Sequence, residues 1–597
     1  MSEVTSRRDF LLKTAAAVAA GSSVAACGGG DSAPASPAQF TYGVASGDPL
    51  SDRVILWTYA KVAGSEAPVQ LTWQVATDSN FARIVSSGTV DALQANGFTA
   101  KVDATGLTAG ATYFYRFQDM AGTTSTVGTT RTLPTAAVAS VKLAVFSCSL
   151  YSEGYFNAYA DAAKSDALYA LHLGDYIYEY GADPAKYGNK DAAALGRTAS
   201  PANDIVSLAD YRRRYAQYKS DADLQALHAK MPWITIWDDH EFANNAYVNG
   251  AENHNPATQG DWATRKTMAA RAYHEWMPIR TPDPANLLKI YRRFDFGKLL
   301  SLHMLDTRIE GRDRQYDSFG DADGGITRYL TGLTPVNGVM PDAARHMMST
   351  EQQNWLTTGL TASTATWQVL GNQDIMARMW FPASVLQTQL AAMATPPTAT
   401  QADVAAAITA YLSAKATRAA AGPGALTPAQ AALLDPTINP TLPYNLDAWD
   451  GYPANRDAIL TTVKNLNKNL VVLSGDSHNG WFSQLTTLAG AKVGVEFAGS
   501  SVTSGGFESV GLGALASSLD GSALVPQLGA SAIGAGLGLV DDLGYADTMR
   551  RGYLRMTVTA ASVKGEYVFV DTVKSKTYTA SVGKTITVTT SGAVSYA

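Results

Sequence analysis

Between Phe40 and Pro134, apolar and polar positions alternate in short runs. Val54-Ile55-Leu56-Trp57, Val69-Gln70-Leu71-Thr72-Trp73-Gln74-Val75 and Tyr113-Phe114-Tyr115-Arg116-Phe117 are rich in β-branched and aromatic residues, the period-two signature of strands. Gly47-Asp48-Pro49, Asp78-Ser79-Asn80 and Gly106-Leu107-Thr108-Ala109-Gly110 separate them as turns. Residues 39–135 therefore read as an all-β sandwich of the immunoglobulin or fibronectin kind. It holds no catalytic cluster, and Thr132-Leu133-Pro134-Thr135 reads as the linker that follows.

Beyond Val141 the rhythm changes. Apolar strands over Leu143–Phe146, Ala167–Leu173, Trp233–Trp237, Leu299–Leu305, Trp367–Leu370 and Leu470–Leu473 alternate with helical stretches near Tyr155–Ala163 and Leu208–Lys230. This is an α/β (α+β) layout, with chemistry expected at the carboxyl edge of one sheet. Residues 381–444 are Ala-rich with helical spacing, broken by Pro396-Pro397 and Gly422-Pro423-Gly424. They read as a helical insertion within a catalytic domain running over 140–597. Ser504–Gly544 is Gly-rich and reads as a long loop. Alternating strands return from Tyr553.

The first residues follow another pattern. Arg7-Arg8-Asp9-Phe10-Leu11 precede an apolar run from Thr14 to Ala26, too short for a bilayer, which needs about 20 residues. A basic start, a short apolar stretch and small residues after it describe an export signal. The paired arginines resemble the twin-arginine type, which implies the twin-arginine export machinery as a partner. Val24-Ala25-Ala26-Cys27-Gly28 resembles a lipobox, with an ordinary peptidase site after Ala26 as the alternative. Residues 1–27 are thus expected to be a signal ending at a lipid-anchored Cys27, and 28–38 a flexible tether. The expected location is periplasmic or extracellular, with membrane attachment through that lipid.

Composition narrows the classes. The chain is 46% hydrophobic and 16% charged, with a formal net charge of −6. It can bury a sizeable core, and neither disorder nor nucleic-acid binding by bulk charge fits; no sequence-specific nucleic-acid binding is expected. Two cysteines exclude a disulfide framework or a Cys₄ zinc module.

Four clusters at strand ends carry the candidate chemistry: Ser147-Cys148-Ser149, Gly174-Asp175-Tyr176-Ile177-Tyr178-Glu179, Asp238-Asp239-His240-Glu241-Phe242-Ala243-Asn244, and Gly475-Asp476-Ser477-His478. Singly, each has a bland reading: a buried thiol, an N-capping Asp, a solvated loop. Together they place carboxylates, a phenol, imidazoles and a thiol at the ends of neighbouring strands. Such a set implies a metal cluster, and two adjacent metals suit displacement at phosphorus. No phosphate-binding Gly loop, GxSxG elbow or HExxH helix competes with it.

With these clusters in order, the chain resembles the alkaline phosphatase D family of the metallophosphoesterase superfamily, from about Phe40 to Gly552. Met277-Pro278-Ile279-Arg280, Met304-Leu305-Asp306-Thr307-Arg308, Leu370-Gly371-Asn372-Gln373 and Trp449-Asp450-Gly451-Tyr452-Pro453 add to the resemblance. It implies a metallophosphoesterase-type sandwich of mixed sheets flanked by helices. It implies Fe(3+) beside Ca(2+), with a metal-bound hydroxide attacking phosphorus. By the same resemblance Cys148, Asp175, Tyr178 and His478 are iron ligands, with Asp175 bridging. Asp239, standing where relatives carry Asn, and Asp476 fall on the calcium side, and His240 protonates the leaving group. Asn244 and Asn372 are further candidates for metal contacts, and Arg308 for phosphate. The implied function is an exported phosphatase with phosphodiesterase activity that scavenges phosphate from small phosphate esters. Phosphodiesters or phospholipid head groups are the further substrate classes. Phospholipase D-type cleavage is the second enzyme reading. An inactive lipid-anchored binding protein is the third, disfavoured because every required position carries a competent residue.

Overall fold

Apolar strands that end in polar clusters need cover on both faces, and here two stacked sheets and outer helices provide it. The structure, a computed structural model, describes residues 36–316, 345–509, 512, 515, 518, 519 and 537–597. The expected signal with Arg7, Arg8 and Cys27, most of the tether and part of the 504–544 loop lie outside the described residues. No described helix is long and apolar enough to cross a membrane.

A ten-stranded sheet contains Val44–Gly47 (β1), Arg53–Tyr59 (β2), Thr99–Thr105 (β3), Ser140–Phe146 (β4), Tyr169–His172 (β5) and Trp233–Thr235 (β6). Strands β4, β5 and β6 run parallel. Arg551–Thr559 pairs antiparallel with β4 and leads into the C-terminal strands. A seven-stranded sheet is built on four parallel strands: Leu300–Met304 (β7), Trp367–Gly371 (β8), Asn469–Ser474 (β9) and Lys492–Ala498 (β10). The pleat of β9 shows the layering. Val471 and Leu473 join the core shared with Val145 and Leu171, while Leu470 and Val472 join the one shared with Leu356, Leu360 and Ile459. Outer helices supply those last three residues. The expectation of one sheet is corrected: the four clusters end strands of two sheets, β4, β5 and β6 in one and β9 in the other.

The helical stretch expected over Leu208–Lys230 is two helices, Leu208–Lys219 (α1) and Ala222–Lys230 (α2). Ser220 closes the first, and Asp221 starts the second, because its Oδ1 accepts from the N–H of Asp223 and Leu224. The 381–444 insertion consists of helices Ala383–Met393, Gln401–Ala421 and Pro428–Leu434. They are closed at the base by pairing of Trp380–Pro382 with Thr441–Pro443.

The N-terminal strands form two layers. Ile84–Ala92, Val69–Ala76, Thr112–Asp119 and Gly128–Arg131 make a four-stranded sheet. Its facing layer, β1, β2 and β3, continues the ten-stranded sheet through pairing of Gly47 with Trp233. Gly47-Asp48-Pro49, expected as a plain turn, is therefore a junction. A Cβ at Gly47 would lie 2.2 Å from Pro278 O, so only glycine lets the strands approach. Buried Asp48, at φ 42°, accepts from Arg292 Nε and Nη2 at 2.8 Å each and from Arg280 N at 2.7 Å. Asp48→Ala should cost about 3 to 5 kcal/mol, the usual penalty for stranding one member of a buried pair. Urea unfolding measures it, and Asp48→Ala/Arg292→Met should recover part of the loss.

Candidate metal centre

The polar clusters meet where the carboxyl ends of β4, β5 and β6 face those of β7, β8 and β9. Side chains can converge there only because the backbone bends sharply as each strand ends. Cys148, Asp175, Asp476 and His478 have φ of 60°, 57°, 54° and 61°, a left-handed geometry that is uncommon outside glycine and clusters at functional sites. Gly174 has φ 108°, and a Cβ on it would meet Asp238 Cβ at 2.3 Å. No other residue fits between those loops.

The donors form a continuous track of four groups. Cys148, Asp175 and His478 make the first; Asp175, Asp239 and His240 the second; Asp238, Asp239 and Asp476 the third; Asp374, Asp447 and Asp476 the fourth. Within each group one ligand atom per residue lies within 4.8 Å of the others. Asp175, Asp239 and Asp476 each belong to two adjoining groups, as residues that bridge neighbouring cations would. Tyr178 closes the first end, its hydroxyl 3.2 Å from His478 Nε2 and 2.7 Å from Ser504 Oγ. His478 Nδ1 lies 2.7 Å from Gly505 O, so it carries the proton, and the Nε2 lone pair faces the track. Asp238 Oδ2 and Asp239 Oδ1 are buried without a hydrogen-bond partner. Orphaned carboxylate oxygens in an interior suit cations.

Two glutamates frame the track without joining it. Glu241 accepts from three backbone N–H groups, Asp175 at 3.0 Å, Tyr176 at 2.6 Å and Asp238 at 2.7 Å. It thereby ties the loop after β5 to the loop after β6. Glu179 Oε2 lies 2.6 Å from His240 Nδ1, and its Oε1 accepts from Asn244 N and Asn253 Nδ2. The His240 ring rests against Tyr178, with centroids 4.1 Å apart. Burial opposes charge on that imidazole, but Asp239, Asp175 and Glu179 outweigh it and hold its pKa well above the ordinary value. Elsewhere burial dominates. It raises the Cys148 thiol and the Asp175 carboxyl, pushes Asp476 to about 8 and lowers His478 to about 3.

Arg308 has a different place from the one expected. Its fully buried guanidinium meets Asp238 at 2.5 Å, Asp447 at 2.8 Å, Asp476 at 2.8 Å and Asp374 at 3.0 Å. Every nitrogen is committed to carboxylate, so it serves as a counter-charge inside the track and not as a phosphate contact. The two asparagines expected as metal contacts are also engaged elsewhere. Asn372 Oδ1 accepts from Trp449 Nε1 at 3.0 Å, and Asn244 Oδ1 accepts from Tyr180 at 3.1 Å. Asp374 and Asp447 carry no assignment from the sequence, yet both belong to the fourth donor group. Asp374 stands one residue past Leu370-Gly371-Asn372-Gln373, and Asp447 two before Trp449-Asp450-Gly451, so their nearness to those stretches was the available signal.

Comparison with known proteins matches the chain over most of its length. A family model described as PhoD-like phosphatase matches residues 143–567, and one described as PhoD-like phosphatase, N-terminal domain, matches residues 23–134. Alkaline phosphatase D of Bacillus subtilis (strain 168) is 36% identical over 482 residues, which is 78% of this chain and 70% of that protein. A solved structure described as that of PhoD superposes with a TM-score of 0.70 at 30% identity, over 94% of this chain and 92% of the other.

The Glu241 clamp is open to test. Glu241→Ala strands three buried N–H groups and should destabilise the protein by roughly 2 to 4 kcal/mol. Glu241→Gln, which keeps one acceptor oxygen, should cost less. Chemical unfolding of the two variants gives the order, and equal losses would reject the clamp.

Proposed function

Because this chain belongs to the PhoD-like phosphatase family, we propose that it is a metal-dependent hydrolase of phosphoric esters, active on monoesters and also on diesters. The observation that carries the reading is the track of donors linked through Asp175, Asp239 and Asp476, with buried carboxylate oxygens left without partners. In this reading Cys148, Asp175, Tyr178 and His478 hold a ferric ion. Asp239 and Asp476, with Asp238, Asp374 and Asp447 beside them, hold calcium, since hard oxygen donors suit that ion. Bound there, the cations supply Lewis acidity toward phosphoryl oxygens and lower the pKa of water.

The chain's own residues supply the proton. Glu179 fixes His240 through Nδ1, while His240 Nε2 makes no protein hydrogen bond among the described residues. Asp239 and Asp175 favour the protonated ring, so Nε2–H can be given to the oxygen of the departing alcohol. Tyr178 lies tilted against the ring and Tyr180 meets it edge-on, at centroid distances of 4.1 and 5.2 Å. Arg308 neutralises part of the carboxylate charge and keeps Asp238, Asp374, Asp447 and Asp476 close together. Export follows from the Arg7-Arg8 signal, with Cys27 as the lipid site, and phosphate scavenging is the role this location suits.

Asp175→Asn should abolish phosphatase activity, because Asp175 joins two donor groups. His240→Ala should keep the metal content and slow turnover by roughly 10² to 10⁴, the usual worth of a general acid. Tyr178→Phe should bleach a visible charge-transfer band. Full activity in Asp175→Asn would sink the assignment of the centre, and zinc as the sole metal in purified protein would sink that of iron and calcium.

For export, Arg7→Lys/Arg8→Lys should strand the protein in the cytoplasm, and Cys27→Ser should release active protein from membranes. Fractionation followed by activity assay reads both. Membrane retention of the Cys27→Ser form would remove the lipid anchor.

A further inference from the structure

The carboxylate that aims His240 is itself held by a loop. Glu179 is fully buried. Its Oε2 lies 2.6 Å from His240 Nδ1, and its Oε1 accepts from Asn244 N at 2.8 Å and from Asn253 Nδ2 at 2.7 Å. Asn244 and Asn253 stand at the two ends of that loop, which is closed at its neck. The N–H groups of Glu252 and Asn253 donate to Asn244 O at 3.0 and 3.3 Å. The Glu252 carboxylate accepts from the Asn244 and Asn245 amides at 3.0 and 2.6 Å. Closure brings a backbone N–H and a side-chain amide onto one carboxylate oxygen.

Helix Trp262–Trp276 (α3) fixes the far end of the loop. Arg265, 1% exposed, donates to Asn253 O at 2.8 Å, to Ile205 O at 2.9 Å and through Nε to the Tyr211 hydroxyl at 3.1 Å. A guanidinium taken out of water needs its N–H groups used, so the core sets the place of the Asn253 backbone. The Asn253 side chain makes one hydrogen bond among the described residues, the one to Glu179. The anchored backbone and that single contact give the side chain one task.

We propose that Asn253 is a positioning residue for proton transfer to the leaving group, holding through Glu179 the angle at which the His240 ring presents Nε2–H. This rests on the reading of His240 as general acid. In that step the Nε2–H bond breaks as an O–H bond forms on the departing oxygen, which keeps the electron pair of the broken P–O bond. Two donors on Oε1 fix the plane of the Glu179 carboxylate, and that plane fixes the direction from which Oε2 meets Nδ1. Without Asn253, Asn244 N alone leaves the carboxylate free to turn, and the imidazole turns with it. Proton transfer depends on such alignment, and a misplacement of about 1 Å can cost roughly 10²-fold in rate.

Turnover of the holoenzyme on dinitrophenyl, nitrophenyl, phenyl and methyl phosphate tests this, because the most basic leaving group needs the proton most. Asn253→Ala should slow methyl phosphate by roughly 10- to 10²-fold and leave dinitrophenyl phosphate nearly unchanged, with metal content as in wild type. Asn253→Asp keeps the shape but puts an acceptor where the donor stood, and should lose at least as much. Asn255→Ala, in the same stretch but with its side chain turned to Ala257 N, should follow wild type. In a His240→Ala background, Asn253→Ala should cost nothing further. Equal losses on every ester, or additive losses in the double variant, make Asn253 a merely structural residue and overturn the proposal. A His240→Ala loss that ignores the leaving group rejects the general acid itself, and the positioning role falls with it.

Discussion

Crowded negative charge is the constraint that this structure answers. Asp175, Asp238, Asp239, Asp374, Asp447 and Asp476 share one interior space. Two unit charges 4 Å apart repel by about 4 kcal/mol at an effective dielectric of 20. Removing each from water costs several kcal/mol more. Arg308 and Arg312 lie among these carboxylates, and the His240 imidazolium faces two of them. These three positive charges do not match six aspartates; burial shifts Asp175 and Asp476 toward their protonated forms, and cations would suit the rest. The left-handed turns at Cys148, Asp175, Asp476 and His478 hold the donors in place despite that repulsion, and the stacked apolar strands behind them hold the turns.

Much of this was legible in the chain. Asp175, Asp239, His240, Asp476 and His478 each follow an apolar strand, and a polar side chain there has nowhere to go but the sheet edge. The strands themselves were readable because Leu470–Leu473 and Trp233–Ile236 are apolar on both faces. The roles of neighbours were not readable. Asp238-Asp239-His240-Glu241 are four adjacent ionisable residues, and only the turn after β6 decides that Glu241 faces backbone N–H groups while Asp239 faces the track. Arg308 misled for a related reason. Its partners lie 70, 139 and 168 residues away, in loops from both sheets, so no local pattern could disclose that its nitrogens are already committed.

The N-terminal strands show the same limit at larger scale. Alternation places the strands around Val54–Trp57, Val69–Val75 and Tyr113–Phe117, yet it does not say which sheet a strand joins. That choice depends on Gly47 having no side chain and on Asp48 finding two arginines more than two hundred residues further on. A local reading sees a turn; the fold uses it as a seam.

The division of the donors between two sheets has a consequence for the order in which the protein acquires its parts. Tyr178 and His478 touch across 300 residues of chain, so the first donor group is complete only after nearly the whole polypeptide has been made. A partial chain ending before Gly475 carries Cys148 and Asp175 with no partner from the second sheet. Contacts of such long range form late and slowly in folding. An early cation therefore finds half a site and weak retention, and the finished edge-to-edge arrangement is what gains the full set of ligands. Metal capture in this architecture is a closing step that rewards only the completed fold, and a truncated or misfolded chain competes poorly for the cell's metal.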